Sequence, residues 1–288
     1  MPSAAARLRG KLMFSLAWTF GRVGRAALQP LSVRAASKRP WHGDVTPAIR
    51  RALLFLRDVI RQLPPRVLRM DLPLRPPVLV WTDASCAPEE ATAEGGFVIV
   101  VPAEGKRRQR VLWAADETEP AVLQRFLAGS GQPIMPLELL YAVAPYYSVP
   151  DVFAGRQVIH FIDNTGACAS MVKGYARAID AGLVVNAFHA WNAGLRADVF
   201  FEYVRSAANI ADLPSRGARA ELLALLRDMG MQATEVACKL PQFSTWDAPA
   251  REWMAEAAAV KRRRAGSEGG RAGKKARASH NARDSSCD

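Results

Sequence analysis

Apolar positions change their period along this chain. From residue 46 to 63 they recur at helical spacing, with Ile49, Leu53, Leu56, Ile60 and Leu63 on one face. Thr46 can cap that helix, Pro47 suits its first turn, and Pro64-Pro65 ends it. Upstream, residues 5–36 read as basic helical segments broken by Gly10, Gly21, Gly24 and Pro30. Residues 71–77 form a proline-rich connector. The pattern then turns to short apolar runs. Val78 to Trp81 predicts a buried strand ending at Thr82-Asp83, Gly95 to Val101 a second, and Arg107 to Ala115 a third. A helix is predicted from Pro136 to about Tyr147, and a fourth strand from Gln157 to Ile162. Helices follow at about 165–173 and 179–195, a fifth strand at Asp198 to Val204, and a helical turn near Asn209.

The resulting order, β-β-β-α-β-α-α-β-α, constrains the topology. Three strands with short connections predict an antiparallel meander. Later strands separated by helices should run parallel to the first. The expectation is an α/β fold with a five-stranded mixed sheet flanked by helices. Two further helices are predicted at 219–230 and 249–264. The last stretch, rich in Gly, Ser and Arg, is predicted to be disordered.

The chain has 288 residues and a net charge of +12. Such a balance favours a polyanionic partner, most often nucleic acid. Its placement narrows this reading. Residues 1–43 hold eight bases and no acid, and residues 261–288 hold nine bases against three acids, so the body between them is slightly acidic. Residues 76–217 hold eleven bases and fifteen acids.

Cys86, Cys168, Cys238 and Cys287 are widely spaced and form no CxxC pair. They are expected to be free thiols in a reducing compartment. A zinc site built from them and His42, His160, His189 or His280 lacks ligand spacing. No apolar run reaches the roughly 18 residues of a membrane span, so no membrane partner is expected. The Arg-, Ala- and Ser-rich, acid-free N-terminus has the composition of a mitochondrial or plastid transit peptide.

Four acids occupy loaded positions. Asp83 ends the first strand (VLVWTDAS), and Glu138 lies early in a helix (PLELLYAV). Asp163 ends the fourth strand (VIHFIDNTGA), and Asp212 follows the fifth (SAANIADLPSR). If the first and fourth strands are neighbours, Asp83 and Asp163 emerge side by side, with Glu138 and Asp212 approaching from the flanks. Carboxylates gathered this closely repel one another and call for a cation. Hard oxygen ligands suit Mg²⁺ or Mn²⁺. Two such ions about 4 Å apart can activate a water and stabilise the leaving oxygen of a phosphodiester. Singly, an acid after a strand is usually a helix cap or turn former; the joint pattern of acid type, order and placement is what points to a metal site.

The order Asp-Glu-Asp-Asp on this string of elements resembles ribonuclease H. The fragments WTDAS, LELL, IDNTGA and NIADLPSR resemble the ribonuclease H domains of retroelement reverse transcriptases. The Asn-x-x-Asp-x-x-Ser-Arg ending is similar to DIRS-like and pararetroviral versions. The resemblance covers about residues 76–217 and implies a ribonuclease H-like domain there. It also makes residues 1–75 look like a basic helical thumb-to-connection segment, which competes with the transit-peptide reading. Residues 218–260 would be a helical extension and 261–288 a basic tail. No Tyr-x-Asp-Asp polymerase motif is present.

The resemblance implies two Mg²⁺ or Mn²⁺ ions and hydrolysis of the RNA strand of an RNA–DNA hybrid. Asp83 would bridge both ions, and Asp212 would complete the site that activates water. Glu138 and Asp163 would hold the ion at the leaving oxygen, with Glu138 near a ribose 2′-hydroxyl. Ser85 and Asn164 flank the acids as backbone contacts or as ordinary strand-end caps. Lys173 and Arg177 bracket a basic loop where a hybrid-binding protrusion is expected, and Arg216 follows the last acid. The loop 204–211 lacks the histidine many cellular ribonucleases H carry, which lowers the expected turnover. His160 and His189 are expected to be satisfied structural histidines.

An acidic module should grip a hybrid weakly, so the basic 1–75 segment is expected to supply much of the binding. Lys261 to Arg264 and Lys274 to Arg277 resemble a bipartite nuclear localisation signal, which gives a nuclear or cytoplasmic location unless the N-terminus directs an organelle. The alternative function is a catalytically inactive nucleic-acid-binding or interaction module on the same fold. The sequence fixes no oligomeric state.

Overall fold

The structure is a computed structural model that describes residues 2–17, 22–37, 44–62, 75–87, 89, 91–105, 108–130, 132–246 and 248–259. The basic tail 261–288, the localisation motif within it and most of the proline-rich connector lie outside the described residues.

Three N-terminal helices, α1 (Pro2–Ser15), α2 (Gln29–Ala36) and α3 (Pro47–Gln62), precede the sheet. The strands are β1 (Val78–Ala87), β2 (Thr92–Val101), β3 (Arg110–Glu117), β4 (Gln157–Ile162), β5 (Asp198–Tyr203) and β6 (Ala233–Glu235). Between and after them lie α4 (Pro120–Ser130), α5 (Ile134–Ser148), α6 (Pro150–Phe153), α7 (Thr165–Lys173), α8 (Ile179–Leu195), α9 (Asp212–Ser215), α10 (Arg219–Asp228) and a last helix, α11, at 250–259.

The strands form one sheet in the order β5-β4-β1-β2-β3-β6. β1, β2 and β3 are an antiparallel meander, and β4 and β5 run parallel to β1, as the element order implies. The sheet has six strands rather than the expected five. Ala233–Glu235 lies parallel to the outer edge of β3, with Val111 opposite Ala233. Three residues, two of them polar, carry no period to read. Backbone pairing recruits them: the Val111 N–H donates to the Gln232 carbonyl, and the Val236 N–H donates to Trp113. The helix α4 was likewise not expected; Val122, Leu123 and Phe126 bury its inner face.

One face of the sheet carries the main core. Val78, Val80, Phe97, Ile99, Val158, Ile162, Val199 and Phe201 pack there with residues of α5, α7 and α8. Alternate side chains of a strand point to opposite faces, so each strand gives this core every second residue. Helix α5 is apolar around its whole circumference, which marks a helix buried on all sides. Leu137 and the run Leu139–Tyr146 are all buried, and Glu138 is the only charged residue in α5. The opposite face has a smaller core, in which Val98, Val111 and Trp113 meet Leu222 and Leu226 of α10.

The N-terminal helices are part of the same packing. Leu16, Leu28, Leu56 and Val59 join the hydrophobic cluster that contains the sheet residues. Arg22 donates to the Val199 carbonyl and Arg25 to the Lys173 carbonyl, each at 3.3 Å. Gly174 ends α7 in the left-handed region at φ +66°, and a Cβ there would lie 2.5 Å from the Arg22 carbonyl oxygen. Glycine meets both demands, the positive φ and the close backbone approach.

His160 is fully buried in the middle of β4. Its Nε2 pairs with the Thr82 hydroxyl at 3.0 Å and its Nδ1 with the Tyr146 hydroxyl at 3.1 Å. Burial pushes its pKa down to about 3, so it is the neutral, satisfied core histidine expected. His189 pairs its Nε2 with the Met171 carbonyl at 3.0 Å.

A close approach inside the main core gives a direct test of this packing. A Cβ on Gly95 would lie 2.2 Å from the ring of Tyr141, whose hydroxyl donates to the Asp116 carbonyl at 2.7 Å and also pairs with Thr118. The ring is buried and held at its far end, so it has nowhere to move. Gly95→Ala should lower stability by about 1–3 kcal/mol in urea denaturation. An unchanged midpoint would contradict the packing of α5 on β2.

Candidate metal centre

The acids are brought together by strand register. β1 and β4 pair in parallel, with Thr82 opposite Ile162. Asp83 and Asp163 follow that pair, so the two stand side by side where β4 ends; the first strand, expected to stop at Asp83, runs on to Ala87 because it stays paired with β2. Helix α5 lies against β1, and the Glu138 carboxylate accepts a hydrogen bond from the Ala84 N–H. Asp83, Glu138 and Asp163 each offer a carboxylate oxygen, and these oxygens all lie within 4.8 Å of one another. Among the described residues no other set of three metal-ligating side chains comes so close.

The electrostatics of this cluster are unfavourable as it stands. Burial, and then the charges of Asp83 and Asp163, push Glu138 up to about 9. Burial also raises Asp83, to about 6, against a lowering hydrogen bond from Ser215. Glu138 is 4% exposed, and its Oε2 has no hydrogen-bond partner among the described residues. A buried polar oxygen without a partner is costly in a protein interior. The donor set is all oxygen, two of its members are held out of water, and one oxygen is unclaimed. That combination fits a small hard divalent cation.

Asp212 stands beside this cluster but outside it. It opens α9 and is partly exposed, and its Oδ1 is held by the Arg216 Nε at 2.7 Å. Its charge still raises both Asp83 and Glu138. The structure therefore brings three of the four expected acids into one cluster and sets the fourth alongside, paired with Arg216.

The other expected residues take varied places. The Ser85 hydroxyl donates to the Ser215 carbonyl at 2.6 Å, a backbone contact. Asn164 caps α7, its Oδ1 accepting from the Ala167 N–H at 3.0 Å, which is the ordinary capping role. Lys173 and Arg177 lie at and beyond the far end of α7, roughly 13 Å along the helix from that cap. The carbonyl of Lys173 accepts from Arg25 and that of Arg177 from Gln29, so the N-terminal segment lies against this loop.

Two side chains beside the cluster were given no role of their own by the sequence. The Ser215 hydroxyl donates to Asp83 Oδ2. Asn209 donates from Nδ2 to the Thr82 carbonyl at 3.0 Å, while its Oδ1 accepts from the Ala211 N–H at 3.2 Å. Together they lash the segment carrying Asp212 to the end of β1. Both lie within NIADLPSR; what the sequence did not show was that this segment folds back onto Asp83.

No protein-family model matches the chain, and no curated protein sequence matches it. No described helix is long and apolar enough to cross a membrane.

The raised carboxyls make stability depend on pH. Between about 4.5 and about 9 the folded chain holds a proton on Glu138 that the unfolded chain has lost, so metal-free stability falls as pH rises through that window. His160 acts oppositely, adding stability as pH rises from about 3 to about 6.5, so the two are separable above pH 6.5. Thermal melts in chelator should show Tm falling from pH 6.5 to 9, with the slope flattened in Glu138→Gln. A slope that survives Glu138→Gln would exclude Glu138 as its source.

Proposed function

We propose that this chain is a divalent-metal-dependent nuclease of the ribonuclease H type, hydrolysing the RNA strand of an RNA–DNA hybrid. The observation that carries the reading is Glu138. It is a buried carboxyl on an otherwise apolar helix, held among Asp83 and Asp163 with one oxygen unclaimed. A packed core gives no structural reason to keep such a group. The strand order, in which a parallel β4 and β5 extend an antiparallel three-stranded meander, also supports the fold that the motifs resemble.

In this proposal Asp83, Glu138 and Asp163 hold the first ion, and Asp83 with Asp212 holds a second. Bound there, the metal would lower the pKa of an attacking water and neutralise charge on the leaving oxygen. The chain's own residues set the stage. Ser215 fixes one oxygen of Asp83. Asn209 holds the loop bearing Asp212 against β1, and Arg216 orients the Asp212 carboxylate. Glu138 cannot swing away, because its neighbours on α5 are buried on both sides. Lys173, Arg177 and Arg25 gather cations on the surface beyond α7, where a phosphate backbone leaving the site would run.

The test is cleavage of a labelled RNA–DNA hybrid in Mg²⁺. Asp83→Asn and Asp163→Asn should abolish metal-dependent cleavage. Ser215→Ala, which removes the hydroxyl that holds Asp83 and the Asp212 carbonyl, should reduce it by about 10–100-fold. Equal rates in the wild type and the two aspartate variants would refute the enzyme; hybrid binding without cleavage would then identify a non-catalytic module.

A further inference from the structure

The Asp212 side of the candidate metal centre carries a cation of its own. Helix α9 spans Asp212–Ser215, and Arg216 follows it one turn after Asp212. The Arg216 Nε donates to Asp212 Oδ1 at 2.7 Å. The residue before it, Ser215, donates to Asp83 Oδ2. Two consecutive side chains therefore hold, one each, the two carboxylates that would share the second ion. Ser215 is neutral and buried, whereas Arg216 is charged and its side chain is 66% exposed. Among the described residues no other cation pairs with any of the four acids.

The guanidinium does more than orient Asp212. Its charge also acts on Asp83 and Asp163, so three of the four carboxylates lie within its electrostatic reach. Arginine keeps that charge at any pH a folded protein meets. A divalent ion between Asp83 and Asp212 would arrive next to a permanent positive charge. Like charges this close repel, and water and salt screen the repulsion only weakly where the ligands are buried. The first ion has three clustered carboxylates to offset it. The second has Asp83, which is already shared, and Asp212, which is already paired.

Charge balance leads to the same place. With all four carboxylates ionised, one divalent ion and Arg216 leave the site one negative charge. A second divalent ion leaves it one positive charge. Without Arg216, two such ions would balance the four acids.

We propose that Arg216 is a tethered counter-ion at the second metal place, so that the site holds one ion at rest and takes the second only at much higher metal concentration. The proposal rests on the two-ion reading of the site. Arg216 is a positioning residue in it, acting through Asp212. An arginine that merely held Asp212 in place would behave in the opposite way: its removal would loosen Asp212 and weaken the second ion.

Titration of the full chain with Mn²⁺ at neutral pH, with the free ion counted by its electron paramagnetic resonance signal, separates the two roles. The wild type should bind one ion tightly and a second at least about tenfold more weakly. Arg216→Gln should tighten the second ion by about tenfold or more, and the first by less. Arg216→Lys, which keeps the charge, should behave as the wild type. Adding Asp212→Asn to Arg216→Gln should abolish the gain, with circular dichroism showing each fold intact. Several results would overturn the proposal and leave the metal centre standing: two equally tight ions in the wild type, a second ion unchanged or weakened in Arg216→Gln, a gain matched by Arg216→Lys, or a gain that survives Asp212→Asn. No Mn²⁺ binding by the wild type or by any variant would overturn the metal reading, and this inference with it.

Discussion

The centre of this structure is a charge problem created by burial. Helix α5 is held so deeply that its one charged residue, Glu138, has almost no access to water, and it faces two further carboxylates. Water cannot solvate it, and only one of its oxygens finds a donor, the Ala84 N–H. Two responses are open to such a group: take up a proton, or share a cation. The upward shift of Glu138 to about 9 is the first response; the arrangement of oxygens is suited to the second.

Much of the surrounding architecture keeps that arrangement in place. Parallel pairing of β1 with β4 sets Asp83 beside Asp163. Directly beneath, Thr82, His160 and Tyr146 form a buried chain of hydrogen bonds that satisfies every polar group there without a charge. The contrast is informative: one layer down, the polar groups are neutral and paired; around Asp83, Glu138 and Asp163 they are acidic and one oxygen is left open.

The parts of this legible in sequence were those with a period or a fixed spacing. Gln157–Ile162, Thr165–Lys173 and Ile179–Leu195 match the predicted elements, because each is a clean apolar run bounded by caps or turns. The strand neighbours followed from connection lengths, and three of the acids followed from the strands. What failed to show was set by tertiary contact. Ala233–Glu235 is a strand only because the edge of β3 is open beside it. Ser215 meets Asp83 across 132 residues, a contact no local pattern encodes. Asp212 stands beside the cluster rather than in it, and the claim of Arg216 on its carboxylate depends on the turn of α9. The basic N-terminus read as a separate segment, yet its apolar residues share the core of the sheet.

If Glu138 is kept buried in order to share a cation, the chain must bind one at these carboxylates whatever its substrate. The most direct measurement is Mn²⁺ binding to the full-length protein at neutral pH, followed by the loss of the free-ion electron paramagnetic resonance signal. Saturable binding that is lost in Asp83→Asn and weakened in Glu138→Gln is the result this account predicts. Binding that is absent in the wild type, or unchanged in both variants, would contradict it.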